Sequence, residues 1–224
     1  DIALGNPDTQ THIAEEGAIP PLVQMVGASN APHLRAALEP PASPGAGSPP
    51  PGSTAAAVKA IAAALKVANV AAGALATLAK DNIVNEIMIT EEGGIPPLVD
   101  LLKATTPAHA PESYEDATKA LWHLATTEDN QTAIAKAGGI APLVELLTSP
   151  SEVTSLCAAA ALSSLARDHA ENQIALAKAG AISPLIELLG SKSPETQEHS
   201  VGALLHLASQ DVASRNAVVR RLVG

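Results

Sequence analysis

The sequence contains no phenylalanine, one tryptophan, one tyrosine and one cysteine in 224 residues. With so few large rings, any core has to be built from small aliphatic side chains on elements that approach closely. A single cysteine excludes an intrachain disulfide framework and fits a reducing compartment, so an intracellular location, cytoplasmic or nuclear, is expected. Cations are scarce as well: 13 Lys and Arg stand against 23 Asp and Glu, a net charge of −10. Nucleic-acid backbones are bound through clustered Lys and Arg, so no nucleic-acid partner is expected, and basic protein segments are the easier partners. The N-terminus shows no signal-peptide pattern, although that end reads as truncated.

What the chain does contain is aliphatic. Hydrophobic residues make up 46% of it, nearly all Ala, Leu, Ile and Val. Ala and Leu are strong helix formers, which points to an all-α protein. The most membrane-like segment, Thr54–Ala79, is apolar except for Lys59, Lys66 and a few small polar residues. Alanine contributes little to insertion and a central lysine costs about 2.5–3.5 kcal/mol, so a long soluble helix and no membrane span are predicted.

The internal repeat decides the fold. Four segments align: EEGAIPPLVQMV (15–26), EEGGIPPLVDLL (91–102), KAGGIAPLVELL (136–147) and KAGAISPLIELL (178–189). Each is followed by a second signature: ALATLA (74–79), ALWHLA (120–125), ALSSLA (161–166) and ALLHLA (203–208). Their first glycines are Gly17, Gly93, Gly138 and Gly180, and the last two intervals are 45 and 42 residues. Each glycine is expected to end a short first helix at a sharp turn where a Cβ would be penalised. Pro21, Pro97, Pro142 and Pro184 then suit the first turn of a second helix, where a missing N–H has no partner to lose. A third helix follows. In the third repeat Ser149-Pro150-Ser151-Glu152 reads as a capping box with proline just inside the helix start. The apolar residues Ala158, Ala161, Leu162 and Leu165 follow helical spacing and are expected to form one stripe.

This pattern resembles the armadillo repeat family over nearly the whole chain, with repeats in the expected range of about 40–47 residues. HEAT repeats, the structural neighbour, usually lack the Gly-turn-Pro junction. The resemblance implies a right-handed superhelical α-solenoid with three helices per repeat. As one domain over 1–224, the repeats are expected at about 5–80, 81–126, 127–167 and 168–210, with a partial repeat at 211–224. Gly17 to Gly93 spans 76 residues, and the excess of 34 falls between the second and third helices. Residues 27–53, containing the tract PPASPGAGSPPPGS, are read as a Pro/Gly/Ser-rich loop inside the first repeat, followed by an extended third helix over Thr54–Ala79. A smaller expansion lies at Thr105–Ser113. Asn85, Asn130 and Asn172 each precede their turn glycine by eight residues, as Asn216 precedes Gly224. Neither end carries a polar capping repeat, so a longer array is expected.

Armadillo arrays usually bind partners in the concave groove lined by the third helices. In the nuclear import adaptors of the family, Trp and Asn ladders hold an extended peptide there. In this sequence the Asn position is filled by Thr77, His123, Ser164 and His206, and the Trp position by Gly73, Lys119, Ala160 and Gly202. Both ladders are absent, which puts the import-adaptor mechanism in doubt. One turn back lie Asp116, Cys157 and His199, with Glu115 and Glu198 beside them. The candidate groove residues are therefore Thr77, Asp116, Lys119, His123, Ser164, His199, Gly202 and His206. They are weighed against a plain solvated helix face. Trp122 is expected to fill a gap between helices, with a binding anchor as the other role. Cys157 reads as a small core residue.

His199, His206 and Cys157 do not make the converging set of ligands that a metal needs. No nucleophile motif or phosphate loop is legible, so no catalysis, cofactor or metal is expected. Pro41-Ala42-Ser43-Pro44 is a minimal PxxP, more readily explained as ordinary loop sequence. The functional expectation is a non-enzymatic scaffold that binds a protein or peptide. The alternatives are the substrate-binding part of a U-box ubiquitin ligase and a structural subunit of a large assembly.

Overall fold

A computed structural model of the chain describes residues 6–28, 53–103 and 114–210, together with residues 215, 216 and 219. Twelve helices fill this part, and no strand occurs among the described residues. In chain order they are α1 (Pro7–Glu15), α2 (Ile19–Ala28), α3 (Ser53–Ala79), α4 (Ile83–Glu91), α5 (Ile95–Lys103) and α6 (Glu115–Leu124). The series continues with α7 (Glu128–Lys136), α8 (Ile140–Leu146), α9 (Glu152–Ala166), α10 (Ala170–Lys178), α11 (Ile182–Leu188) and α12 (Pro194–Gln210). They fall into four sets of three, and the third helices α3, α6, α9 and α12 pack side by side in that order. This is the right-handed α-solenoid that the repeat pattern implies.

The glycine turn is built as expected. Gly17, Gly93, Gly138 and Gly180 have φ of +85°, +72°, +79° and +83°, the left-handed region that favours glycine. In the third repeat, Gly138 N–H donates to Ala135 O and Gly139 N–H to Ile134 O, each at 2.9 Å. These two bonds satisfy open carbonyls at the end of α7 in a Schellman arrangement. A Cβ on Gly139 would lie 2.8 Å from Ile134 Cγ2, so the second glycine permits close approach. Pro21, Pro97, Pro142 and Pro184 all lie in the first turns of their helices.

Three expectations need correction. The cap of α9 is Ser151, whose hydroxyl accepts from Thr154 N at 3.2 Å, and Pro150 precedes the helix. Ser149 instead accepts from Ser151 N at 3.2 Å and shapes the approach to the cap. A proline does stand just inside the helix start in the fourth repeat, at Pro194 of α12. Secondly, the apolar residues of α9 do not form one stripe, since every residue except Glu152, Val153, Leu156 and Ser164 is buried. A helix apolar all round belongs inside a structure rather than at its edge. Thirdly, Gly27 and Ala28 close α2 and Ser53 opens α3, so the loop expected at 27–53 is shorter at both ends. Its remainder, with the PxxP, lies outside the described residues, as do Thr105–Ser113, Asp1–Leu4 and Gly224.

The core is aliphatic throughout. Leu75, Ile95, Leu98, Leu121, Leu143 and Leu162 are fully buried, each such side chain contributing about 1.5–3 kcal/mol. Between them, small residues set the helix spacing. A Cβ on Gly202 would come within 2.8 Å of Ser163 Oγ, so α12 lies tightly on α9 at that point. Window Ala62–Ala79 of α3 is long and apolar enough to cross a membrane by length and composition. In the fold it packs against α2 and α6 and buries Leu65, Ala68, Ala72, Leu75 and Ala76.

Polar links join one repeat to the next. Asn85, Asn130 and Asn172 donate from Nδ2 to Leu78 O, Leu124 O and Leu165 O, at 2.9, 2.8 and 3.0 Å. Each asparagine thus closes a carbonyl left open at the end of the preceding third helix. The next residue repeats the device: Gln131 donates to Ala125 O and Gln173 to Ala166 O. N-caps also work from both ends. Asn82 accepts from Asn85 N and donates to Thr11 Oγ1. His169 accepts from Asn172 N on Nδ1 and meets Thr132 Oγ1 through Nε2 at 3.0 Å. A ring nitrogen that accepts from an amide carries no proton, which assigns the proton to Nε2 and makes His169 a copy of the Asn82 cap.

Glu86 stands where the other repeats have Gln10, Gln131 and Gln173, and it is 4% exposed. Its carboxylate accepts from the Thr126 hydroxyl. Burial pushes its pKa above the ordinary 4.5, with the Thr126 bond opposing and Asp81 adding to the rise. The folded state therefore keeps this proton to higher pH than the unfolded chain does. Ionisation costs stability as pH rises through the folded pKa, and the cost is absent below 4.5. Glu86→Gln is expected to raise unfolding stability at pH 7 relative to the parent and to have little effect at pH 4, measured by urea denaturation at the two pH values. Asn172→Ala is expected to cost about 1–3 kcal/mol in the same assay, because Leu165 O is left buried without its donor.

Candidate functional site

The third helices carry the candidate residues, and the fold brings some of them together. Thr77, Lys119 and His123 line one cleft of ≈ 290 Å³ with Gln10, Ala76, Lys80 and Trp122. It lies where the C-terminal end of α3 faces α6. Thr77 Oγ1 donates to Gly73 O at 2.9 Å, which leaves the hydroxyl only as an acceptor. Lys119 pairs with Glu115 at 3.4 Å across one helical turn. Asp116 turns away from the cleft: its carboxyl lies where a Cβ on Gly73 would come within 2.9 Å of Cγ. Gly73, having no side chain, thus leaves room for a carboxyl from the next repeat. Burial raises the pKa of Asp116, and Lys119 opposes the rise.

Trp122 joins the two ends of the groove. Its indole stacks on His123 with centroids 4.9 Å apart and planes 19° from parallel. It also meets His199 of α12 edge-on, at 5.4 Å and 73°. Helices α6 and α12 flank α9, so this contact passes over the middle helix. Cys157 and Ala160, which sequence position assigns to the inner face of α9, are only 1% and 0% exposed. Small side chains on α9 leave room for the two rings to meet. Trp122 is half-buried: its ring packs against the aliphatic core, in keeping with the gap-filling expectation, and also lines the cleft. Cys157 is the core residue expected, and burial pushes its thiol up to about 11, far from the thiolate range.

The remaining candidates are separate. Ser164 and His206 are half-exposed on α9 and α12, outside the cleft. Gly202 serves the contact of α12 with Ser163. Among the described residues no group of three or more His, Cys, Asp and Glu could hold a metal ion. Sequence reasoning missed Gln10 and Lys80. Gln10 comes from the first helix, 67 residues from its bond partner: Nε2 donates to Thr77 O at 2.8 Å. Its kinship with Gln131 and Gln173 was readable, but its turn toward this cleft was not.

Burial lowers the pKa of His123 to about 4, with Lys80 and Lys119 lowering it further and Asp81 opposing. Burial lowers His199 too, with Glu198 opposing and Arg167 reinforcing. Both rings beside Trp122 are thus neutral at pH 7, and a neutral imidazole stacks on indole without having to desolvate a charge. The unfolded chain takes up these protons first, so this stability is lost as pH falls from 6.5 toward 4. Trp122 is the sole tryptophan, and an imidazolium quenches an adjacent indole. Its emission is expected to fall as pH passes through about 4, where folded His123 takes up its proton. His123→Ala should remove the component near pH 4, as followed by fluorescence titration alongside circular dichroism.

The family model described as Armadillo/beta-catenin-like repeat matches residues 127–167 and 169–209. No curated protein matches the chain significantly. Among solved structures, a designed armadillo repeat protein in complex with the peptide (KR)4 is 25% identical, with a TM-score of 0.70 over 98% of this chain and 77% of that one. A second designed armadillo repeat protein gives the same identity, score and coverage. Computationally designed armadillo repeat proteins for modular peptide recognition are 22% identical, with a TM-score of 0.62 over 91% of this chain and 87% of that one, a likeness of fold.

Proposed function

Because the chain is an armadillo-repeat solenoid, we propose that it is a non-enzymatic scaffold that binds an extended segment of a partner protein along the face formed by its third helices. The observation that carries this reading is the cleft between α3 and α6, which places the half-buried Trp122 beside polar groups on the inner face. An aromatic ring with a few convergent polar groups is the usual composition of a peptide anchor. The peptide-bound designed relative supports the same use of the fold. An extended strand offers an N–H and a C=O at every residue, and the half-exposed Ser164 and His206 are the side chains proposed to meet them.

The reading is tested by selecting random displayed peptides on the whole chain. Selected peptides are expected to change Trp122 emission. His123→Ala and His206→Ala should each weaken them by about 1 kcal/mol, the worth of one hydrogen bond. Affinity untouched by either change, with no change in emission, would place binding elsewhere and reject this face.

A further inference from the structure

Helix α4 carries three large apolar side chains on its outer face. Ile83, Val84 and Ile87 are 51%, 49% and 50% exposed, and their spacing groups them over one helical turn. The helix already buries Asn85, Glu86 and Ile89 on its other side, so the core is served without them. None of the three lines the cleft between α3 and α6. The other first helices carry different residues here. Ten, nine and six residues before the turn glycine stand Pro7, Asp8 and Thr11 in α1, and Glu128, Asp129 and Thr132 in α7. In α10 the same places hold Ala170, Glu171 and Ile174, so the position of Val84 is acidic in each of the others.

The position of Ile87 has a polar task in two other repeats. Thr11 Oγ1 accepts from Asn82 Nδ2 at 2.9 Å, and Thr132 Oγ1 meets His169 Nε2 at 3.0 Å. Each bond joins a first helix to the cap of the next one. Ile87 can make no such bond to Thr127, the cap of α7. The second repeat thus gives up an acid in a helix's first turn and a junction hydrogen bond for apolar surface that stays in water. Carboxylates flank that surface. Asn82 also donates to Pro7 O, which brings the exposed Asp8 of α1 to one side. The Thr126 hydroxyl donates to Glu86, which brings the exposed Glu128 and Asp129 of α7 to the other. Asp81 precedes α4, and Glu91 lies one turn beyond Ile87. The balance is acidic even with Lys80 beside Asp81 and Lys136 at the far end of α7.

We propose that this outer face of α4 docks an amphipathic helix of a partner protein, apolar along one side and flanked by Lys or Arg. The backbone of α4 is paired within its own helix, so the face offers no edge to an extended strand. A partner helix brings its own backbone bonds and presents apolar residues at i, i+3 and i+4, the span of this patch. The acidic rim selects the charge of the flanks. It disfavours a second copy of the chain, which would bring one acidic rim against another, and the anionic surface of a membrane. The site is separate from the groove face and does not depend on the reading given for that face.

The test uses two fluorescein-labelled peptides of about four helical turns, with leucine at helical spacing and either lysine or glutamate elsewhere. Binding to the whole chain is followed by anisotropy. The leucine–lysine peptide is expected to bind at least about tenfold more tightly than the leucine–glutamate peptide. The decisive variant takes the residues of the third repeat, Ile83→Glu, Val84→Asp and Ile87→Thr together. It removes the patch while making its surroundings more acidic, and urea denaturation establishes that it folds. The leucine–lysine peptide should lose about tenfold or more in affinity for it. Val84→Asp alone, the residue found there in α1 and α7, should show part of that loss and serves if the triple variant unfolds. Unchanged or tighter binding to these variants would mean attraction by charge alone, or binding in the groove, and would overturn the proposal. Absence of binding, or equal binding of the two peptides, also overturns it. So does a concentration-dependent dimer that the triple variant abolishes, which would make a second copy the occupant.

Discussion

The third helices α3, α6 and α9 end with carbonyls that have no partner of their own, and the first helix of the following repeat supplies the donors. Asn85, Asn130 and Asn172 reach back to Leu78, Leu124 and Leu165 from the same place in successive repeats. The amide can make this bond only when the short first helix crosses the end of the long one at a set distance. One donor–acceptor pair therefore fixes the relation between neighbouring repeats, and repetition of that relation generates the superhelix. The glycine turns return the chain for the second helix, and the aliphatic core fills the space that results. Since each repeat contacts mainly its neighbours, these junctions rather than distant contacts hold the array together.

Small side chains do two jobs in this architecture. Between helices they allow close approach, as where Gly202 of α12 lies against Ser163 of α9. On the inner face they create room. The middle helix α9 presents Cys157 and Ala160 where larger residues would stand upright. The rings of Trp122 and His199 meet across it as a result. The inner surface is therefore divided: a cleft toward α3, a bridged middle, and the separate half-exposed residues Ser164 and His206. A peptide running its full length would have to pass over or displace the ring contact.

Charge is distributed as unevenly as shape. Acidic residues predominate in the chain, yet buried ionisable groups tend toward neutrality. Glu86 and Asp116 are raised by burial, and His123 and His199 are lowered by it. At the cleft, Lys80 and Lys119 stand with Asp81, Glu115 and Asp116 close by.

Periodicity alone determined the class and order of the helices, because each of the recurring residues has a local physical role. Glycine takes the left-handed turn, proline opens the next helix, and the Leu/Val/Ile run is buried behind it. Each role is satisfied within a few residues, so it can be read without knowing what lies opposite. Cap choice at α9 was less legible, since Ser149 and Ser151 are both competent and only the path of the chain selects Ser151. The burial of α9 on every side could not be read either, because its outer neighbours come from other repeats. Of the candidate site, Thr77, Lys119 and His123 were legible from their place in the repeat. Gln10, Lys80 and the meeting of Trp122 with His199 were decided by the tertiary structure. They come together through long-range packing, where a side chain's neighbours are set by how helices distant in sequence lie against one another.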